Sequence, residues 1–221
     1  MSMRKVDFEI GEFYHIYNRG NSKQKIFNNK EDYERFIKLL FLSNGNNSFK
    51  IHFIKNDVVY DFDRGERLVD IGAYCLMPNH FHLLIKEKVE NGISKFMQKL
   101  TTAYVMYYNE KYKRIGSLFE GKFKSEHVGN DRYLKYTFSY IHLNPIKLLE
   151  SKWKELGIKD KNRAINFLKD YKYSSFKDFL REARIESSIL SRRSFPDYFS
   201  TTKIFISEIL DWINYNKNEL N

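Results

Sequence analysis

Cysteine is almost missing: the 221 residues contain one, Cys75. A disulfide framework and a cysteine-based zinc site are therefore both excluded within the chain. Cys75 lies in an apolar run, where a lone thiol packs as a small hydrophobe. Long apolar stretches are missing as well. No segment approaches the roughly 20 apolar residues that a membrane span needs, and the opening Met-Ser-Met-Arg-Lys-Val lacks the apolar region of a secretory signal. A cytoplasmic protein without a membrane partner is the expectation. No glycine-rich P-loop occurs, which argues against a fused NTP-driven motor. Internal repeats and low-complexity segments are also absent.

Positive charge is abundant. Lys and Arg number 38 against 28 Asp and Glu, a formal net charge of +10. Such a surplus suits a polyanionic partner, because every phosphate neutralised releases a condensed counterion. The 19 Phe and 16 Tyr could build a core or stack on bases. A hydrophobic content of 42% is enough for one compact domain, alone or with a helical appendage.

Along the chain, 12–18 reads as a strand ending at the Arg19-Gly20 turn signal. Helical spacing over 29–42, with Asn28 or Asn29 as cap, predicts a first helix. The polar run 44–48 is a loop, and 49–68 reads as a peripheral hairpin or insertion. Strands are expected at 68–76 and 81–87, joined through Met77-Pro78-Asn79-His80, a turn composition. A long helix over 92–113 stops before Gly116. Another strand is expected over 118–128, interrupted by Gly121, and a helix from Asp131 to Pro145. The order β-α-β-β-α-β predicts an α+β, ferredoxin-like antiparallel sheet with helices on one face. A soft boundary is expected near residue 150, with 1–150 as the core domain and 151–221 as a C-terminal helical extension in which 171–180 and 204–215 are the apolar pieces.

Two patterns carry chemistry. His80 and His82 flank Phe81 at the start of a strand, so the period of two points both imidazoles from one face. Two neutral imidazoles side by side can hold a divalent ion, Zn²⁺ by preference, or Mg²⁺ or Mn²⁺ with oxygen ligands added. On the following helix, Tyr140 and Asn144 stand four residues apart, which places a phenol and an amide on one face. A phenol can attack phosphorus, and the amide oxygen can join a metal shell. Pro145 disfavours the helical region for Asn144, so a kink or a helix end is expected there. His127 and His142 are alternative third ligands.

Four segments together resemble a known family: Tyr14-His-Ile-Tyr-Asn-Arg-Gly20, Tyr74-Cys-Leu-Met-Pro-Asn-His-Phe-His-Leu-Leu84, Gly116-Ser-Leu-Phe-Glu-Gly-Lys-Phe-Lys124 and Tyr140-Ile-His-Leu-Asn-Pro145. They are similar to the IS200-type single-tyrosine HUH transposases, and within them to the branch associated with repetitive extragenic palindromes. The resemblance covers roughly 10–150. It implies Mg²⁺ or Mn²⁺ held by His80 and His82, a polar ligand at Asn144, and Tyr140 as nucleophile. It further implies single-stranded or hairpin DNA as partner and cleavage to a 5′-phosphotyrosine with a free 3′-hydroxyl. Whether the site is built within one chain or shared across a homodimer stays open. Arg19, Lys122, Lys124 and Arg132 are candidate phosphate contacts. Phe119 and Phe123 fit either base stacking or core packing. The alternatives are a catalytically silent hairpin-binding protein and a replication-initiator or relaxase-like nickase.

Overall fold

The computed structural model describes residues 7–212. Four strands form one antiparallel sheet: β1 (Phe13–Arg19), β2 (Val69–Met77), β3 (His80–Glu87) and β4 (Lys124–His127). Their spatial order is β2-β3-β1-β4. With α1 (Lys30–Leu42) between β1 and β2, and α2 (Gly92–Lys111) between β3 and β4, this is the expected β-α-β-β-α-β core. Pleating sorts the two faces. Tyr14, Ile16, Tyr74, Leu76, Phe81, Leu83 and Ile85 are buried against Phe36 and Leu40 of α1 and Phe96, Leu100 and Tyr104 of α2. Both core helices thus cover the same face.

The opposite face is covered by a third helix, α3 (Asp131–Leu143), which follows β4. Its Leu134, Phe138 and Ile141 pack with Ala73, Cys75, Met77 and Leu84 from the sheet and with Phe195. The outer edge of β2 is also occupied. Leu76 N–H donates to the Tyr173 carbonyl and Ser175 N–H to the Tyr74 carbonyl, each at 2.9 Å. Short helices α4 (Trp153–Leu156), α5 (Lys161–Asp170) and α6 (Phe176–Phe179), then α7 (Thr202–Asp211), make up the C-terminal part. The end of the helix expected over 204–215 lies outside the described residues. No helix among the described residues is long and apolar enough to cross a membrane.

Helix starts follow from local chemistry. Asn29 and Asp32 form a reciprocal capping box at α1. At α2 the residue before the helix, Asn91, is left-handed and makes no side-chain cap. The buried Glu87 carboxylate takes over, accepting N–H bonds from Gly92 (2.9 Å) and Ile93 (2.7 Å), and it also meets the positive end of the helix dipole. At α3 the Asn130 side chain accepts from Tyr133 N–H at 2.7 Å.

Two elements differ from expectation. Residues 49–68 form no hairpin; they carry two single 3-10 turns, Ile51–Phe53 and Val59–Asp61. The strand expected over 118–128 shrinks to Lys124–His127. Before it, only Phe119 bridges to Gly20, and Gly121 adopts φ 78, a left-handed turn that breaks the ladder. Phe119 is buried and Phe123 packs against the same core.

Asp32 anchors α1 to the end of α2. Its fully buried carboxylate accepts bonds from Lys111 (2.8 Å), Tyr107 (2.9 Å), Tyr112 (2.7 Å) and the Asn28 amide (2.8 Å). Burial alone would raise the pKa of this carboxyl, but the bonds from Lys111, Tyr112, Asn28 and Tyr107 outweigh it, and the net effect is a lowering. Because the folded-state value is depressed, the stabilisation is present above the ordinary carboxylate range and is lost as pH falls through the lowered value. Asp32→Ala, which removes a buried acceptor of four hydrogen bonds and leaves Lys111 with its Glu31 and Asn29 partners, is expected to cost about 3 kcal/mol. Urea unfolding should show the midpoint falling with the slope unchanged; a wild-type midpoint would contradict this account.

Candidate active site

The face of the sheet under α3 carries the chemistry. His82 lies opposite Tyr17, and His80 opposite Arg19, in the β1–β3 ladder. The period of two therefore does place both imidazoles on one face, with ring centroids 5.1 Å apart and nearly perpendicular. Each ring is oriented by a partner. His80 Nδ1 lies 2.6 Å from Asn79 Oδ1, and the Asn79 amide is fixed the right way round because its Nδ2 donates to the Lys23 carbonyl. An amide oxygen only accepts, so His80 Nδ1 carries the proton and Nε2 carries the lone pair. His82 Nδ1 lies 2.9 Å from Nε2 of His15, whose ring stacks at 5.0 Å. If His82 Nδ1–H is the donor in that pair, its Nε2 is likewise the basic nitrogen.

Tyr140 arrives from the last full turn of α3. Its ring meets His82 edge-on at 5.5 Å and His15 at 5.7 Å. It is half-buried, unlike its neighbours Ser139, Ile141 and His142. Tyr140, His80 and His82 line one cleft of about 650 Å³ together with Tyr17, Arg19, Lys23, Lys25, Lys124 and Lys147. Tyr17, a second phenol there, donates its hydroxyl to Glu126 at 3.1 Å, and Tyr133 donates to the other oxygen of the same carboxylate at 2.8 Å.

Asn144 sits at the helix end, as the cap that closes α3 with helical backbone angles (φ −51, ψ −40). Pro145 is accommodated in the first turn of the 3-10 segment Asn144–Leu148, as its second residue, where a missing N–H is tolerated. The Asn144 side chain turns back, Nδ2 donating to the Tyr140 carbonyl at 2.8 Å, while its buried Oδ1 has no hydrogen-bond partner. The two alternative ligands are elsewhere. His127 pairs with Glu12 at 2.7 Å. His142 is fully buried, bonded to Ser175 Oγ at 2.8 Å, and burial lowers its pKa to about 3.

Of the four expected phosphate contacts, Arg19 and Lys124 reach the cleft. The Arg19 guanidinium is forked onto the Glu120 carboxylate, and this bond both raises the Arg19 pKa and lowers that of Glu120. Lys122 lines a different groove, beside α2. Arg132 is exposed in the first turn of α3. The sequence reading missed His15, Asn79, Lys23, Lys25 and Lys147. His15 had a signal: it shares strand parity with Tyr17.

Metal fit follows from the donors. Among the described residues no group of three His, Cys, Asp or Glu side chains is arranged around a metal position. The two imidazoles are a partial set that leaves positions for water or a substrate oxygen; Asn144, buried and outside the cleft lining, is not brought to them.

Residues 64–144 match a protein-family model described as transposase, IS200 like. The resemblance to IS200-like transposases holds over this segment. It takes in β2, β3, α2, β4 and α3, hence His80, His82, Tyr140 and Asn144. No curated protein matches the chain. Among solved structures, a REP-associated tyrosine transposase bound to a REP hairpin aligns over 84% of this chain and 90% of its own, with 12% identity and a TM-score of 0.49. The tRNA(His) guanylyltransferase from Saccharomyces cerevisiae aligns over 99% and 84%, with 11% identity and a TM-score of 0.37.

Proposed function

We propose that this protein is a divalent-metal-dependent enzyme that cuts and rejoins single-stranded DNA beside hairpins, with Tyr140 as nucleophile. The observation that carries the proposal is the convergence of Tyr140 with the His80 and His82 imidazoles in one lysine-lined cleft. Tyr140 Oη attacks a backbone phosphorus, the phosphorus–O3′ bond breaks, and a 5′-phosphotyrosine forms. One proton leaves the phenol and one is taken up by the departing 3′-oxygen. Rejoining is the reverse attack by a 3′-hydroxyl, so neither water nor a nucleotide is consumed. His80 and His82 would hold Mg²⁺ or Mn²⁺, and Asn144, buried outside the cleft lining, would join them only if its side chain turned toward the imidazoles. Bound there, the ion would polarise a non-bridging phosphate oxygen and orient the scissile bond. Lys124, Lys23, Lys25 and Lys147 offset the backbone charge, and Arg19 reaches a phosphate only by exchanging Glu120 for it. Hairpin DNA is the partner that the sequence resemblance implies.

Incubating the protein with a 5′-extended hairpin oligonucleotide and Mn²⁺ is expected to give a covalent adduct that survives denaturing electrophoresis. EDTA should lower its yield at least 100-fold, and added Mn²⁺ should restore it. Hairpin binding with no adduct under any divalent ion would leave a binding protein and end the catalytic proposal.

A further inference from the structure

At the far end of β2, about 25 Å from the histidine cleft by strand rise, lies a second basic cleft. It has a volume of about 490 Å³ and is lined by Arg67, Arg181, Arg192 and Arg193 with the hydroxyl-bearing Ser187, Ser191 and Ser194. The four guanidiniums come from three separate stretches of chain. The fold assembles them by running Ser191 along β2, its N–H donating to the Ile71 carbonyl at 2.8 Å. Arg67 then donates to Ser191 Oγ at 2.8 Å.

Two carboxylates share the cleft, and both are engaged. Asp178 Oδ1 accepts from Ser187 Oγ at 2.5 Å, while its buried Oδ2 faces Arg184 at 3.7 Å without a hydrogen bond. Glu182 pairs with Lys177 at 3.3 Å. Arg67 has Asp70 at 3.6 Å, and Arg181 donates to the Ser200 carbonyl. Arg192 lies over the Phe179 ring at 4.8 Å. Among the described residues neither Arg192 nor Arg193 makes an ion pair. Arg192 and Arg193 are exposed; partial desolvation by the packed surroundings lowers the Arg192 pKa, an effect that nearby Asp178 counters and nearby Arg181 adds to. A phosphate would relieve this, since guanidinium forks match its oxygens in pairs and serine hydroxyls complete the shell.

We infer that this arginine cleft is a phosphate-binding site, and that it holds a backbone phosphate of the DNA whose hairpin flank is processed at Tyr140. The DNA part rests on the proposed function; the phosphate part does not. A DNA chain reaching both clefts would gain register as well as affinity, because phosphate contacts position a duplex without reading its sequence.

The test compares wild type with Arg192→Gln/Arg193→Gln, and with Arg193→Gln alone in case the double variant fails to fold. Hairpin binding is followed by fluorescence anisotropy across a salt series. Inorganic pyrophosphate is tested separately as a stabiliser in thermal unfolding, against chloride at equal ionic strength. The double variant should bind a long hairpin about tenfold more weakly, with a salt slope shallower by about 2, as expected for two lost phosphate contacts. Adduct formation on a short single strand that reaches only the Tyr140 cleft should be unchanged. Pyrophosphate should raise the wild-type midpoint and not that of the double variant. Arg193→Gln should show about half the change in slope. Equal slopes and equal pyrophosphate responses in all proteins would overturn the site. A pyrophosphate response lost in the variants with unchanged DNA slopes would overturn the DNA assignment and leave a free-phosphate site. If wild type binds no hairpin while the pyrophosphate response still depends on these arginines, the proposed function fails and the phosphate site stands.

Discussion

Tyr140→Phe is expected to remove the covalent DNA adduct completely and to lower strand cleavage by at least 10³-fold, while hairpin affinity stays within about twofold. Losing the nucleophile of a covalent mechanism removes the step itself, so only the far slower reaction with water remains. Affinity should persist because the phenyl ring keeps its edge-on contacts with His82 and His15 and the lysines are untouched. The informative control is Tyr17, which lines the same cleft and lies 5.8 Å from His82 by ring centroids. Its hydroxyl already donates to Glu126, and it sits on the rigid sheet. Tyr17→Phe should therefore retain the adduct within a few-fold. Mass spectrometry of the trypsin-digested adduct would place the DNA on the peptide carrying Tyr140. An adduct that survives Tyr140→Phe, or one carried by the Tyr17 peptide, would move the nucleophile to β1.

Much of this geometry could be read from local pattern. The alternation around His80 and His82 requires only that 80–87 be a strand, because period two then fixes the shared face. The order of strands and helices followed from apolar spacing and from stops such as Arg19-Gly20. What sequence could not supply was contact across distance. His15 stands 67 residues from His82, and only the β1–β3 register brings their rings together. Asn79 looked like a turn residue and is one, yet its amide also sets the His80 tautomer. Lys23, Lys25 and Lys147 come from short irregular segments whose direction no periodicity encodes. Of the two readings of 49–68, hairpin or insertion, the hairpin did not form, for the opposite reason. Weak alternation exists there, but Asn44 ties down the end of that segment, its Oδ1 accepting from both Leu68 and Val69 N–H and its Nδ2 donating to the Val69 carbonyl. Tyr140 was ambiguous among 16 tyrosines until α3 was seen to present it half-exposed beside two imidazoles.

The histidine pair yields the second large effect, and it separates a ligand from the residue that orients it. His82→Ala is expected to lower metal-dependent cleavage by about 10²- to 10³-fold, because one of only two imidazole donors is gone. His15→Phe should act differently. It keeps a ring in the stack but removes the nitrogen 2.9 Å from His82 Nδ1; with His82 Nδ1–H as donor in that pair, His82 then loses the partner that keeps its lone pair on Nε2. Outer partners of ligating histidines are typically worth about 10- to 100-fold in metal affinity. His15→Phe should accordingly shift the Mn²⁺ concentration for half-maximal adduct formation upward by that factor, with the rate at saturating Mn²⁺ near wild type. His15→Gln, whose side-chain oxygen can accept from His82 Nδ1–H, should recover most of the shift. A merely structural role would lower the rate at every metal concentration and leave the half-maximal point in place. A wild-type metal titration for His15→Phe would show that the His15–His82 bond does nothing for the ion. A wild-type rate for His82→Ala would take the ion away from this face of the sheet altogether.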